Sequence, residues 1–219
     1  FPRGPRFVNK GLLGEGGMGR VYRAFDTERG EDVALKFLLH AEDPGRLARF
    51  KDEFRLLSPT QIVHPNLAPL YELMCVDGCW FLTMKLIDGV DFCSYCRPRG
   101  ELAWERLRDV FRQLAVGIAA LHERDILRRD IKPSNVLVSE ADGHVWILDF
   151  GLVAPVRDDS LVCATVQSAP GTITCMAPEQ AAGQSEAASD LYSMGVLLYE
   201  CLTGVVPFGG SALEVLQAK

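Results

Sequence analysis

Leu127-Arg128-Arg129-Asp130-Ile131-Lys132-Pro133-Ser134-Asn135-Val136-Leu137-Val138, followed ten residues on by Leu148-Asp149-Phe150-Gly151, is the stretch that decides the fold. Asp130, Lys132 and Asn135 fall on one tight loop, closed by Pro133. Two short apolar runs, 136–138 and 145–148, flank the turn residues Ala141-Asp142-Gly143. Strands joined by such a turn form a hairpin, which brings Asn135 and Asp149 to the same end. An amide oxygen and a carboxylate are hard oxygen donors, the kind Mg²⁺ takes when phosphate oxygens complete its octahedron. Asp130 is then left to accept a hydroxyl proton, and Lys132 to neutralise a phosphate.

The order D-x-K-P-x-N followed by D-F-G resembles the catalytic core of the protein kinase family, and with the later Gly171-Thr172 it resembles the serine/threonine branch. Gly16-Gly17-Met18-Gly19 and Met176-Ala177-Pro178-Glu179-Gln180 are similar in style to bacterial members. The resemblance implies an α+β, bilobal fold. A small antiparallel β lobe would cover residues 1–87 and a larger, mainly helical lobe residues 88–219. Relatives continue for two or three more helices, so the helical lobe is expected to be C-terminally incomplete here, with Glu179 lacking its usual arginine partner.

Composition sets the outer bounds. With 219 residues, 48% apolar and 24% charged, the chain suits one large soluble domain or two small lobes. A formal charge of −6 argues against a general nucleic-acid or anionic-membrane surface. No apolar run approaches a membrane span, and Phe1-Pro2-Arg3-Gly4-Pro5 lacks the apolar core of a signal peptide, so a cytoplasmic location is expected. The seven cysteines are scattered and odd in number, which reads as free thiols in a reducing compartment. Cys75, Cys79, Cys93 and Cys96 approach zinc-ribbon spacing. The strand-like run 80–86, extended at ~3.3 Å per residue, would hold the two pairs roughly 20 Å apart, which disfavours a shared zinc.

Along the chain, residues 6–13, 20–26 and 32–38 read as three antiparallel strands. Between the first two lies Gly14-Glu15-Gly16-Gly17-Met18-Gly19-Arg20-Val21, a glycine pattern able to fold its backbone over phosphates. In a dinucleotide-binding fold such glycines join a strand to a helix. Here the β-like Val21-Tyr22-Arg23-Ala24 follows, which favours a strand-to-strand hairpin. Residues 47–57 read as a helix, 68–75 and 80–84 as a hairpin across Val76-Asp77-Gly78, and 104–123 as an amphipathic helix. Residues 149–179 read as loop, and 189–203 as a further helix.

The resemblance assigns roles residue by residue. Gly14, Gly16, Gly17 and Gly19 would cover the phosphates of ATP. Lys36, in Val33-Ala34-Leu35-Lys36, would bind its α and β phosphates and pair with Glu53. Asp52 would point some 100° around the helix from Glu53. Val21, Ala34, Met84 and Leu137 would sandwich adenine, and the backbone of Lys85, Leu86 and Ile87 would form its hinge. Asp91 would contact ribose or a peptide substrate, against an alternative reading as a helix N-cap. Asn135 and Asp149 would hold Mg²⁺ or Mn²⁺. Asp130 would act as base, Lys132 would stabilise the γ-phosphoryl, and Thr172 would orient both. Asp190, in D-x-x-x-x-G with Gly195, would brace the catalytic loop. Arg129 would pair with a phosphate on the activation segment, where Ser160, Thr165 and Ser168 are candidate sites of self-phosphorylation.

The implied activity is ATP-dependent phosphoryl transfer to Ser or Thr of a protein, with no nucleic-acid partner. The alternative is a pseudokinase or regulatory scaffold. One departure bears on that choice: Arg128 stands where the family has His, beside Phe150 of D-F-G. A guanidinium there must snorkel outward or meet a carboxylate.

Overall fold

The computed structural model describes residues 1, 4–16, 19–57, 62–148, 154–155 and 170–219, the side chains of 154–155 and 170–172 excepted. They form two compact units, Phe1–Val63 with Ala68–Ile87, and His64–Leu67 with Asp88–Lys219.

The first unit is built on a five-stranded antiparallel sheet in the order β1-β2-β3-β5-β4. Its elements are β1 (Phe7–Gly16), β2 (Gly19–Asp26), β3 (Glu31–Leu38), helix α1 (Pro44–Leu57), β4 (Leu70–Val76) and β5 (Cys79–Lys85). Strict alternation along β2, β3 and β5 separates two faces, because residues opposite one another in register share a face. One face carries Ala24, Val33, Leu35, Phe37 and Phe81, which close with Phe7 into an aromatic core. Phe37 and Phe81 stack at 5.0 Å, and Phe7 meets Phe81 edge-on at 5.8 Å. The other face carries the register row Val21, Lys36, Leu82 and the row Arg23, Ala34, Met84, Leu70.

Turn chemistry fixes these registers. The β4–β5 hairpin turns on Asp77 and Gly78, both at positive φ (50° and 76°), as a two-residue type I′ loop requires. β1 and β2 run on through the glycine stretch, with Gly14 opposite Val21 and Gly16 opposite Gly19. The glycines therefore join strand to strand. Helix α1 begins one turn before the expected Leu47, because the Asp43 carboxylate accepts the amides of Gly45 (2.8 Å) and Arg46 (3.2 Å). Pro44 follows directly, at a first-turn position that has no amide to satisfy. The helix buries Phe50, Glu53 and Leu57 along one stripe.

The second unit comprises β6 (Val90–Asp91), α2 (Phe92–Cys96), α3 (Trp104–His122), β7 (Ile126–Leu127), β8 (Val136–Val138), β9 (Val145–Ile147), β10 (Ala154–Pro155), α4 (Pro170–Cys175), α5 (Pro178–Ala181), α6 (Ala187–Thr203) and α7 (Ala212–Ala218). β6, β8 and β9 form one small sheet, and β7 pairs with β10. α3 buries Leu107, Val110, Leu114, Ile118 and Leu121 of the stripe expected from its periodicity, while Phe111, expected with them, is half-buried. Gly117 on that stripe leaves room for Ile147, since a Cβ there would lie 2.6 Å from Ile147 Cδ1 and 3.2 Å from Asn66 Cβ.

Two features depart from the linear reading. The run His64–Leu67 sits in sequence between elements of the first unit yet belongs to the second. Asn66 explains this: its carbonyl accepts the Ile147 amide (2.8 Å), and its side chain donates to Val145 O (3.0 Å) and Gln113 (3.2 Å). The segment expected as loop up to Glu179 contains helix α4 and, from Pro178, helix α5. Ser193 on α6 fastens α4 by donating to the carbonyl of Cys175 (2.8 Å).

Candidate functional site: a catalytic loop braced by a buried aspartate

In the first unit, strand β3 and helix α1 bring Lys36 and Glu53 together. Nζ lies 3.1 Å from Oε1, with side-chain exposures of 5% and 3%. An ammonium and a carboxylate so deeply placed each offset the other's desolvation. Asp52, the neighbouring acid, is exposed and pairs with Arg55 at 3.1 Å.

Register puts Val21, Ala34 and Met84 on the same sheet face as Lys36, so apolar side chains neighbour its ammonium. Lys85 closes β5 with its amide on Pro69 O (3.0 Å). Leu86 and Ile87 follow outside any strand. A Cβ at Gly14 or Gly16 would meet nothing within 4 Å among the described residues. At Gly19 a Cβ would fall 2.0 Å from the carbonyl oxygen of Phe37, so that glycine is demanded by the sheet itself. Gly17 lies outside the described residues.

In the second unit, the loop after β7 is organised by Asp190 of α6. Its buried carboxylate (1% exposed) accepts the amide of Arg128 at 2.8 Å and that of Arg129 at 2.7 Å. His122, at the end of α3, places Nε2 2.8 Å from the same group. Arg129 is held at φ 60°, a conformation costly for a side chain other than glycine. Gln180 secures the far side of that residue, donating to Arg129 O at 3.1 Å.

The candidate site side chains follow directly. Lys132 Nζ lies 2.9 Å from Asp130 Oδ2. The Asn135 amide nitrogen donates both to Asp130 Oδ2 (2.8 Å) and to the Asp130 carbonyl (3.0 Å). Both partners are pure acceptors, so the amide can face them only with its NH₂, and its oxygen is turned away. That oxygen is a hard donor suited to a divalent cation. The β8–β9 hairpin extends to this end: Val136 lies opposite Ile147, and the Leu148 amide donates to Asn135 O at 2.9 Å. Asp149, the next residue, and Phe150 lie outside the described residues. Thr172 sits on α4, its side chain likewise outside them. Leu137 is on β8, paired with Asp91 on β6.

Arg128 departs from expectation, and Asp91 follows its alternative reading as a helix N-cap. Arg128 does not snorkel outward. It is 1% exposed, and its guanidinium donates to the carbonyl of Leu148 at 2.6 Å. Asp91 forms the N-cap of α2, with one oxygen on the Ser94 amide (3.0 Å) and the other on the Ser94 hydroxyl (2.5 Å). Glu179 accepts the Ser189 hydroxyl at 2.5 Å. Gln180 and His122 were not anticipated, because a glutamine after A-P-E and a helix-terminal histidine carry no local signal of a partner distant in sequence.

A β-rich unit holding a buried Lys–Glu pair and a helical unit holding an Asp-Lys-Asn loop braced by a buried aspartate define the protein kinase class. The chain belongs to the protein kinase family: the family model described as protein kinase domain matches residues 7–218. It is 36% identical over 210 residues to serine/threonine-protein kinase PknE of Mycobacterium tuberculosis (strain ATCC 25618 / H37Rv), covering 94% of this chain and 36% of that protein. It is 32% identical over 216 residues to serine/threonine-protein kinase PrkC of Bacillus subtilis (strain 168), covering 95% of this chain and 33% of that protein. Serine/threonine-protein kinase PknH of Mycobacterium bovis (strain ATCC BAA-935 / AF2122/97) is 34% identical over 213 residues, covering 96% of this chain and 35% of that protein. The chain thus spans about a third of the length of these relatives. Among the described residues, no helix is long and apolar enough to cross a membrane.

Proposed function

We propose that the chain transfers the γ-phosphoryl group of ATP to a Ser or Thr hydroxyl of a protein. The observation that carries this reading is the Asp130-Lys132-Asn135 cluster, which presents a base, a cation and an outward amide oxygen on one braced loop. Phosphoryl transfer asks a protein mainly for positioning and charge neutralisation, and those are the resources present.

Asp130 would orient the acceptor hydroxyl and take its proton as the oxygen bonds to phosphorus and the bond to the ADP oxygen breaks. Lys132, beside it, would neutralise charge on the phosphoryl oxygens in flight. Lys36, held by Glu53, would fix the α and β phosphates under the backbone of Gly14, Gly16, Gly17 and Gly19. Val21, Ala34, Met84 and Leu137 would enclose adenine, and Lys85, Leu86 and Ile87 would offer it main-chain hydrogen bonds. The donor set fits a hard divalent ion, Mg²⁺ or Mn²⁺, which Asn135 and Asp149 would hold. When bound, the ion would draw charge from the phosphate oxygens. Thr172 would steady Asp130 and Lys132, and Asp91 would reach ribose with lone pairs left over from capping α2. Self-phosphorylation in the activation segment, at Ser160, Thr165 or Ser168, is part of the same reading, as is a cytoplasmic location, where ATP is supplied.

The test is transfer of radiolabelled phosphate from ATP to casein by the wild-type chain and by Asp130→Asn. The substitution should lower the rate by on the order of 10²- to 10⁴-fold while leaving the unfolding temperature unchanged. Undiminished transfer would remove Asp130 from the mechanism.

A further inference from the structure

Helices α2 and α6 pack together in the second unit, and three cysteines converge where they meet. Cys93 Sγ lies 3.3 Å from Cys201 Sγ. Cys96, one turn along α2 from Cys93, is buried, and its thiol also reaches Cys201. Arg97 ties the same two elements, donating through Nη1 to the carbonyls of Cys201 (3.0 Å) and Leu202 (3.2 Å). The two sulfurs are therefore held by both helices rather than brought together by chance motion of loops.

From this juxtaposition we infer that Cys93 and Cys201 form a reversible disulfide site, oxidised by hydrogen peroxide, that staples α2 to α6. A disulfide needs about 2.0 Å between sulfurs, so closure from 3.3 Å asks for a shift of roughly 1.3 Å, within reach of side-chain rotation. Cys93 is half-buried and Cys201 buried, so peroxide meets Cys93 first. The Cys93 sulfur attacks a peroxide oxygen and the O–O bond breaks. The leaving hydroxide takes the thiol proton as water, leaving a sulfenic acid. The Cys201 sulfur then attacks the Cys93 sulfur, the S–O bond breaks, and a second water departs with the Cys201 proton. Two thiols lose two electrons in all, and one peroxide accepts them.

The shared hydrogen bond and burial raise the Cys93 thiol above its ordinary range; the same bond lowers Cys201, but Cys96 and burial outweigh it and leave that thiol raised too. Few thiolates are present at neutral pH, so the oxidation is slow and calls for sustained peroxide rather than a trace. The link would join the segment carrying Asp91 to the helix whose Asp190 holds Arg128 and Arg129. It does not depend on the phosphotransfer reading.

The experiment treats the reduced chain with millimolar hydrogen peroxide, blocks remaining thiols with iodoacetamide and maps the peptides by mass spectrometry. The expected product is a Cys93–Cys201 crosslinked peptide, about 2 Da lighter than the reduced pair and abolished by dithiothreitol. Its unfolding temperature should rise by on the order of 5–15 °C, a rise absent from Cys93→Ser and Cys201→Ser. Full alkylation of both cysteines after peroxide overturns the inference, as does a sulfinic acid at Cys93 or a bridge through Cys96. The wild-type peptide map decides the matter even if a serine variant folds poorly.

Discussion

Replacing Asp190 gives the sharpest test of how the catalytic loop is held. Its carboxylate serves the backbone amides of Arg128 and Arg129 and the ring of His122, all within 2.8 Å, and is itself 1% exposed. In Asp190→Ala the two amides lose a charged acceptor inside the protein, and each such loss costs about 1–3 kcal/mol, or roughly 2–6 kcal/mol together. Asp190→Asn keeps one acceptor oxygen but turns an NH₂ toward a donor, so about half that loss is expected, roughly 1–3 kcal/mol. The strained Arg129, at φ 60°, would then relax. Asp130, next in the chain, would shift with it. A displacement of about 1 Å can cost on the order of 100-fold in rate, so phosphotransfer should fall further than stability alone predicts. Urea unfolding followed by the fluorescence of Trp80, Trp104 and Trp146 measures the first effect. Hydrogen exchange at the Arg128 and Arg129 amides reports the cause. If Asp190→Asn keeps both amides protected and lies within about 0.5 kcal/mol of wild type, the carboxylate is not what holds this loop.

Three further outcomes are expected. Gly19→Ala drives a Cβ to within 2.0 Å of Phe37 O and should destabilise the β2–β3 pairing by about 1–3 kcal/mol, visible as a lower unfolding temperature. Glu53→Gln retains the shape but not the charge beside Lys36, and steady-state kinetics should show kcat/KM for ATP reduced roughly 10- to 100-fold; an unchanged value would separate that pair from nucleotide binding. Burial pushes the Cys175 thiol from the ordinary 9.0 up to about 11, so between those values the unfolded chain loses a proton that the folded chain keeps. The stabilisation is present below pH 9 and lost as pH rises through 11, by about 3 kcal/mol in all. In Cys175→Ala that part of the alkaline slope should vanish from urea unfolding measured between the two pH values.

Local chemistry was legible wherever neighbours in sequence decide the outcome. The Asp77-Gly78 turn, the period of α3 and the hairpin carrying Asn135 all depend on short-range geometry. The glycine hairpin was legible for the same reason, since β-like residues follow it. The start of α1 was missed although Asp43 and Pro44 signal it. Helix α4 was missed because Pro170-Gly171 reads as a turn, and it is fastened by Ser193 from a distant helix.

Other features depend on partners far away in the chain. Nothing near Asn66 indicates that it bonds to Val145 and Gln113 and so carries residues 64–67 into the second unit. The sequence by itself determined the class of fold and the identity of the chemical groups, because strand and helix periods, turn residues and motif spacing are local properties. Only the tertiary structure decided that Arg128 stays inside on a carbonyl, which of its two readings Asp91 follows in capping α2, and that the Asp190 brace also takes in His122. Each of these is a choice of hydrogen-bond partner made inside a low-dielectric interior, where a polar group must pair with whatever the fold brings within about 3 Å.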